Sequence, residues 1–225
     1  MPVARYDGLA EWYDEEQARI AQRTDVPIEE FARLVGDGHG VLVEVGCGTG
    51  IGSRALAARG WTVIGLDLSA DQLGVARSRC HATVLADAHR LPFRAGAVSA
   101  IAMAFVHTDV DAFDQVVREV GRVLAPGAAF SYLGIHPCFV GHHISSVTKT
   151  ETALSVVSGY RDAVRVDHSE QFGGGIRSRV GAQHVPLADF LNAFVDAGLV
   201  LARVVERGDG IVPWMLGVRA TKATP

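Results

Sequence analysis

The stretch that most constrains this chain is Val41–Gly50, which reads VLVEVGCGTG. Its first five residues are almost all branched and apolar, as in a strand of a parallel sheet that is covered on both faces. Three glycines follow at alternate positions. Glycine adopts backbone conformations that other residues resist and lets a ligand come close. The Ala- and Leu-rich segment 51–59 then predicts a helix. A strand, a glycine turn and a helix in this order predict the first unit of a doubly wound nucleotide-binding sheet.

The spacing of the glycines distinguishes two classes of ligand. The dinucleotide fingerprint G-x-G-x-x-G places a pyrophosphate on the helix N-terminus. Its third glycine is missing here: the position holds Ile51 when the pattern starts at Gly46, and Ser53 when it starts at Gly48. The alternative pattern is E-x-G-x-G-x-G, with Glu44 as the acid. A carboxylate at this place would repel a pyrophosphate, whereas it suits a cationic amino-acid ligand.

The segment Glu44–Gly50 resembles the first motif of the class I S-adenosylmethionine-dependent methyltransferases. The resemblance implies an α/β fold with a doubly wound, mostly parallel, seven-stranded Rossmann-like sheet, and S-adenosyl-L-methionine as the cofactor. It also implies that the motif holds the amino-acid portion of the cofactor, through Glu44, Gly46, Cys47, Gly48 and Gly50.

A second strand is predicted over residues 61–67 and ends in Asp67. In this architecture a carboxylate at that position hydrogen-bonds the ribose hydroxyls. The alternative role is an N-cap of the next helix, but Ser69 is better placed for that role and leaves Asp67 free for the ligand. The neighbouring Leu68 is expected to contact the adenine ring.

The third predicted strand, residues 82–86, is followed by DAHRLPF, which resembles the D-A-x-x-L-P-F segment of the same family. The resemblance implies that the carboxylate of Asp87 and the backbone N–H of Ala88 recognise the adenine edge, which offers both a donor and an acceptor. Leu91 is expected to sandwich the ring from the side opposite Leu68. The alternative is an Asp that only shapes a turn.

Two histidines follow the fourth and fifth predicted strands, residues 98–105 and 128–135. Reacting groups of open α/β sheets gather at these strand ends. His107 is the first candidate for a general base, since an ordinary histidine pKa near 6.5 allows it to accept a proton at neutral pH. His136 is the second candidate. A packing role for His107 stays open, and Phe105 is expected to contact the cofactor.

The other elements follow from periodicity and turn residues. A helical stripe covers 111–124 and is expected to end at Pro126–Gly127. A second amphipathic helix is predicted over 187–197. Two final strands, 199–205 and 211–220, predict a hairpin that completes the sheet.

One methyltransferase domain is predicted over residues 1–225, with a helical cap formed by residues 1–38. The cap contains the pattern Y-D-x-x-A-x-x-Y-D, which places Tyr6 and Tyr13 on one face if it is helical. Tyr13 is expected to contact the cofactor and Tyr6 the substrate. The alternative is that both rings only pack the cap onto the core.

Residues 136–185 have weak periodicity and are too many for an ordinary loop. The resemblance to the methyltransferase family implies a substrate-covering insertion at this place, after the fifth strand. His142 and Arg177 are its candidate substrate contacts, and the glycines at 173–175 predict a hinge or a hairpin turn. No metal is expected, because the histidines lack a recognised ligand spacing and the adjacent His142 and His143 point apart in most regular structure.

Composition limits the remaining choices. A net charge of −4 without a run of Lys or Arg argues against a general nucleic-acid binder. The apolar runs are too short to span a bilayer, and the first residues lack the apolar region of a secretory signal. Three scattered cysteines are typical of a reducing compartment. We therefore expect a cytoplasmic protein, with its oligomeric state open. The resemblance of the N-terminal segment to the cap of small-molecule methyltransferases implies a small-molecule substrate.

The resemblance implies methyl transfer from S-adenosylmethionine to an oxygen or nitrogen atom of a small metabolite, by in-line displacement and with a histidine as the candidate base. Three alternatives stay open. One is a non-methylating, cyclase-like enzyme on the same fold, and another is a non-enzymatic S-adenosylmethionine-binding protein. The third is an NAD-dependent oxidoreductase, which the missing third glycine disfavours.

Overall fold

The structure is a computed structural model that describes residues 4–21, 27–146, 154–167, 175–208 and 210–224. The strands are β1 (Gly40–Val45), β2 (Trp61–Asp67), β3 (Ala82–Leu85), β4 (Val98–Ala104), β5 (Leu124–Ile135), β6 (Ile144–Ser146), β7 (Ser155–Val156), β8 (Arg165–Val166), β9 (Ala182–Gln183), β10 (Leu199–Arg207) and β11 (Met215–Lys222). The helices are α1 (Ala10–Ala21), α2 (Pro27–Val35), α3 (Ile51–Ala57), α4 (Ala70–Ala76), α5 (Phe113–Val123), α6 (Ile176–Val180) and α7 (Leu187–Asp196), and a 3-10 helix covers Val106–Thr108.

Seven strands form one sheet in the order β10-β11-β5-β4-β1-β2-β3. The five strands from β3 to β5 pair in parallel, while β11 is antiparallel to both β5 and β10. The predicted doubly wound, seven-stranded sheet is therefore confirmed. The chain moves outward from β1 to β3 and then returns to the other side of β1, so the strand order reverses between β1 and β4. Ligands of open α/β sheets bind at this kind of switch point, outside the carboxyl ends of the strands.

Two apolar layers cover the faces of the sheet. On one face α5 and α7 pack through a cluster of aromatic rings, in which Phe113 stacks on Phe190 at 5.2 Å and Phe194 stacks on Phe130 at 5.3 Å. On the other face α2 and α3 bury Phe31 and Leu56 against the strands. These layers fix the strand ends that carry the polar residues.

The junction between α5 and β5 differs from the prediction. The helix ends at Val123, and β5 already begins at Leu124 rather than at residue 128. The reason is Pro126, because the residue before a proline avoids the helical region. Pairing with β4 is interrupted by a bulge after Leu124 and resumes at Ala129, which places Pro126 where a missing N–H is tolerated.

The insertion contains two short ladders, β6 with β7 and β8 with β9, together with α6. Strands of two or three residues have too few positions to show a period, which explains why this region looked irregular in sequence. Of the glycines at 173–175, residues 173 and 174 lie outside the described part of the chain. Within the described ranges, no helix is long and apolar enough to cross a bilayer.

The neighbours Phe194 and Val195 on α7 test the packing. Phe194 is fully buried, whereas Val195 is 57% exposed. We expect Phe194→Ala to lower the free energy of unfolding by about 3–5 kcal/mol, because it removes a ring from the close-packed aromatic cluster. Val195→Ala should change the same quantity by less than about 0.5 kcal/mol. Urea unfolding of the two variants measures the difference, and similar losses would contradict the packing described here.

Candidate functional site

The glycine turn after β1 needs its glycines for backbone reasons. Gly46, Gly48 and Gly50 have φ values of 69°, 54° and 80°, in the left-handed region that disfavours other residues. The N–H groups of Gly46 and Cys47 both donate to the carbonyl of Leu66, at 2.7 and 3.0 Å. The turn is thereby fixed to the end of β2.

Asp67 completes this attachment. One of its carboxylate oxygens accepts from the N–H of Gly48 at 2.8 Å, and the other accepts from the N–H of Ser69 at 2.9 Å. Burial raises the pKa of Asp67, and these two donors oppose the rise. Ser69 caps α4 by accepting from the N–H of Gln72, as predicted, so the helix does not need Asp67 as a cap.

Asp87 lies after β3. Its Oδ1 atom accepts from the backbone N–H of His89 at 2.9 Å and lies 2.8 Å from Nδ1 of the same residue. Burial opposes ionisation, but the bonds and charge of His89 outweigh it and lower the pKa of Asp87. The carboxylate is therefore ionised at neutral pH.

A large cavity of about 1020 Å³, its open mouth included, lies over the ends of β1 to β4. Nine residues predicted to contact cofactor or substrate line it: Tyr6, Tyr13, Gly46, Gly48, Asp67, Leu68, Asp87, Ala88 and Phe105. The expected role of Leu91 as the second face of the adenine sandwich is wrong, because its side chain is buried in the hydrophobic core. Val110 lines the cavity instead.

A second cavity adjoins the first, and both are lined by Tyr13, Gly46 and Phe105. It contains Glu44 and Cys47, two further predicted cofactor contacts. Gly50 lies outside these cavity walls. A Cβ atom there would meet Ala76 at 3.2 Å, so this glycine serves the packing of the turn on α4.

Glu44 is a buried acid at this second cavity. Its side chain is 2% exposed and accepts a hydrogen bond from the hydroxyl of Ser53. Burial raises the pKa of Glu44 to about 8, which the Ser53 bond only partly offsets. A cation placed beside it would stabilise the ionised form.

The N-terminal cap closes over both cavities. The guanidinium of Arg79 binds both carboxylate oxygens of Asp14 on α1, one of them at 2.9 Å. The hydroxyl of Ser69 donates to Asp7 at 2.6 Å. The rings of Tyr6 and Tyr13 meet edge to face at 5.4 Å, so they share one side of the cap as predicted, although α1 begins only at Ala10.

Asp109, which the sequence analysis did not single out, is a further acid in the large cavity. It follows the 3-10 helix after β4 and accepts a hydrogen bond from the hydroxyl of Tyr6 at 3.0 Å. Burial raises the pKa of Asp109 to about 6, although the charge of Arg177 opposes the rise. The same strand-end argument that selected His107 could have selected this acid two positions later.

His107 is placed at a different, smaller cavity, which Arg177 and His142 also line. Its Nδ1 atom is hydrogen-bonded to the hydroxyl of Tyr132, and its ring packs on Phe113. Burial, and secondarily the charge of Arg177, lower the pKa of His107 to about 3. This histidine is a weak proton acceptor.

His136 turns away from the cavities described above. Its Nε2 atom lies 2.9 Å from a carboxylate oxygen of Glu206 on β10, and its Nδ1 atom accepts from the N–H of Cys138 at 3.2 Å. Both ring nitrogens are therefore engaged, and the geometry does not favour His136 as a base.

The expectation that the side chains of His142 and His143 point apart is wrong. The two residues lie in a turn rather than in a strand or helix, and their ring centres are 5.7 Å apart. Both rings also contact His184, which follows β9.

Comparison with known proteins agrees with this geometry. Residues 43–132 match the family model described as a methyltransferase domain. Over 163 residues the chain is 32% identical to the methyltransferase GfsG of Streptomyces halstedii, covering 68% of this chain and 52% of that protein. It is 30% identical over 128 residues to the demethylmenaquinone methyltransferase of Mycobacterium marinum, covering 56% of this chain and 55% of that protein.

Solved structures support the fold. An S-adenosylmethionine-dependent methyltransferase from Mesorhizobium loti superposes with a TM-score of 0.70 at 20% identity, covering 88% of this chain and 97% of that one. The chain spans about half the length of the curated relatives described above. The methyltransferase-domain model thus matches residues 43–132 of this chain. The sheet around them has the class I S-adenosylmethionine-dependent methyltransferase fold, which confirms the resemblance seen in the first motif.

The buried acid of the second cavity gives a pH-dependent prediction. The folded pKa of Glu44, about 8, lies above an unfolded value of about 4.3, so the native state holds an extra proton between these pH values. The stability that Glu44 contributes is present below the unfolded pKa and is lost as pH rises through 8. Glutamine does not titrate. As pH rises from about 5 to about 9, the free energy of unfolding of the Glu44→Gln variant should therefore increase relative to that of the natural chain, by more than about 1.4 kcal/mol.

Urea unfolding of the cofactor-free protein across this pH range measures the difference. Glu29→Gln is the matched control, since Glu29 is exposed on the neighbouring α2. Parallel pH curves for Glu44→Gln and the natural chain would show that the carboxyl is ionised in the folded protein and refute the burial argument.

Proposed function

We propose that this protein transfers the methyl group of S-adenosylmethionine to an oxygen or nitrogen atom of a small metabolite. The observation that carries the proposal is the pair of adjoining cavities at the switch point of the sheet. One cavity gathers the glycine turn with Asp67 and Asp87, and the other holds the buried Glu44. An elongated ligand with a nucleoside at one end and an ammonium group at the other matches these polar groups.

Each polar group has a proposed partner on the cofactor. The carboxylate of Asp67 holds the ribose hydroxyls, and Asp87 with the N–H of Ala88 binds the adenine edge. Glu44 pairs with the ammonium group of the methionine portion, whose charge offsets the cost of ionising a buried carboxyl. Leu68 and Phe105 supply apolar contacts.

The reaction requires positioning more than acid–base chemistry. S-adenosylmethionine supplies an activated methyl group on a sulfonium, and transfer is an in-line displacement. Holding the acceptor atom close and aligned accounts for roughly 7–11 kcal/mol of the barrier in favourable cases. The cap, held by the Arg79–Asp14 pair, covers part of the cavity and reduces its contact with water.

Where the acceptor must lose a proton, we assign the base to Asp109 rather than to a histidine. Asp109 lines the cofactor cavity and has a pKa of about 6, which suits proton transfer near neutral pH. His107 lines the smaller cavity with a pKa of about 3, and both nitrogens of His136 are engaged.

The relative from Mycobacterium marinum is named for methylation of demethylmenaquinone, and a fatty-acid O-methyltransferase from Mycolicibacterium smegmatis is 36% identical over 102 residues. Both names describe small acceptors, which favours a metabolite over a macromolecule.

The direct test is calorimetric titration of the protein with S-adenosylmethionine, S-adenosylhomocysteine and NAD in parallel. Binding of the first two without the third supports the proposal, and binding of NAD alone would overturn it. A panel of metabolites is then screened by mass for a product heavier by one methylene. A changed product without that shift would indicate a cyclase-like enzyme, and cofactor binding without any turnover would indicate a binding protein.

The ribose assignment predicts the effect of Asp67→Ala. We expect this change to weaken S-adenosylmethionine binding by about 10- to 150-fold, because hydrogen bonds to a charged group contribute roughly 1.5–3 kcal/mol. Asp196→Ala, at an exposed position on α7, should leave the affinity unchanged. Circular dichroism checks that both variants stay folded. Unchanged affinity of a folded Asp67→Ala protein would remove the ribose assignment.

The base assignment predicts the effect of Asp109→Asn. With an acceptor that must lose a proton, we expect kcat to fall by about 10²–10⁴-fold while cofactor affinity is kept. For the natural chain the rate should rise as pH rises through about 6, the pKa of Asp109, and this rise should be absent in the variant. Asp111→Asn is the control, since this acid lines the same cavity but is 68% exposed. An unaltered pH profile in Asp109→Asn would contradict the assignment.

A further inference from the structure

Three histidines of the insertion form a compact group that the proposed methyl transfer does not use. His142, His143 and His184, hereafter the histidine cluster, each offer a ring nitrogen, and these atoms all lie within 4.8 Å of one another. The ring centres of His143 and His184 are 4.7 Å apart, and those of His142 and His184 are 5.3 Å apart. The cluster therefore brings together two segments that are distant in sequence.

One nitrogen of each ring, Nε2, is already hydrogen-bonded to a backbone carbonyl. The Nε2 atoms of His142, His143 and His184 lie 3.2, 3.1 and 2.8 Å from the backbone carbonyls of Gly159, Cys138 and Tyr160, respectively. A carbonyl only accepts hydrogen bonds, so each Nε2 carries the proton and each neutral ring presents an unprotonated Nδ1. Metal-binding histidines are commonly oriented by such a bond from the nitrogen that does not bind the metal.

The Nδ1 atoms of His143 and His184 face a common space beside Gly141. A Cβ atom built on Gly141 would lie 3.0 Å from Nδ1 of His143 and 3.6 Å from Nδ1 of His184. The Nδ1 atom of His143 is buried and has no hydrogen-bond partner among the described residues. An unpaired buried acceptor is costly, and an electron-pair acceptor between the rings would satisfy it.

We propose that the histidine cluster binds one divalent transition-metal ion, with Zn²⁺ as the best match, through the Nδ1 atoms of His142, His143 and His184. Imidazole ligands suit Zn²⁺, and three protein ligands leave a fourth position open, as in catalytic zinc sites. With Zn–N distances of about 2.0–2.1 Å, tetrahedral geometry places the nitrogens about 3.3 Å apart. The nitrogens, which lie within 4.8 Å of one another, must therefore approach by up to about 1.5 Å.

The open position has a defined neighbourhood. His142 and His184 line the small cavity together with His107 and Arg177. A metal ion beside the guanidinium of Arg177 makes this cavity strongly cationic, so the fourth ligand is water or an anionic oxygen. The ion also ties the turn that holds His143 to the residue that follows β9, and thus joins the two ladders of the insertion.

The test uses the full chain after treatment with a chelator. Zn²⁺ alone is titrated calorimetrically, and Co²⁺ is titrated as a spectroscopic probe because its visible absorption reports the coordination geometry. We expect one ion per chain, a four-coordinate Co²⁺ spectrum and a higher Tm with Zn²⁺. Binding at less than one equivalent, or a six-coordinate Co²⁺ spectrum typical of surface oxygen ligands, would overturn the proposal.

Variants assign the ion to the cluster. His184→Ala and His143→Ala should each weaken Zn²⁺ binding at least about 100-fold, since a direct ligand matters at least as much as the groups that orient it. His81→Ala, at an exposed position after α4, is the matched control and should bind like the natural chain. If removal of a buried histidine unfolds the protein, His142→Ala replaces it, because this ring is only partly buried. Retained binding in a folded cluster variant, or equal loss in His81→Ala, would refute the assignment.

The same samples are titrated with S-adenosylmethionine. The metal site and the cofactor cavities have different walls, so failure of one proposal leaves the other standing. Cofactor binding without metal binding removes only the histidine cluster as a site, and metal binding without cofactor binding removes only the proposed methyl transfer.

Discussion

The hydrogen bond from the N–H of Gly48 to the carboxylate of Asp67 is the constraint on which the site depends. It joins the ends of two neighbouring parallel strands and gives a partner to a donor that faces a cavity. The bond requires a left-handed backbone in the turn, and this requirement explains why Gly46 and Gly48 are glycines. The same carboxylate also holds Ser69, whose hydroxyl in turn holds Asp7 of the cap. Asp67 therefore positions the glycine turn, the start of α4 and, through Ser69, the cap.

Glu44 shows how the fold selects a ligand by charge. An isolated carboxylate at this depth is poorly solvated, so the empty site favours the protonated form. A cation that enters the second cavity removes that penalty, whereas a phosphate would add repulsion to it. Under the proposed function, discrimination between S-adenosylmethionine and a dinucleotide thus depends on burial of the Glu44 side chain as much as on the missing third glycine. This discrimination needs no contact between the protein and the sulfonium.

The sequence predicted the parts of this protein whose signals are local. The apolar runs of β1 and β2, the acid Asp67 at the end of β2 and the acid Asp87 just after β3 lie in short segments whose structure depends on nearby residues. The prediction failed where distant residues decide. The cap buries Asp109, which raises its pKa and which the sequence around it does not show. His107, the first candidate base from the sequence, is enclosed by aromatic rings of α5 and α7, which the sequence around it does not show either.

Arg177 of the insertion links the small cavity to the large one. Arg177 lines the small cavity, yet its charge acts on Asp109 in the large one and holds the pKa of that acid below what burial alone would give. Tyr6 binds the same acid from the cap. Asp109 therefore interacts with the cap, which precedes β1, and with the insertion, which lies between β5 and β10 in the chain. Its proton affinity depends on contacts with both the cap and the insertion, so the proposed base role of Asp109 and the closure of the cap depend on the same contacts.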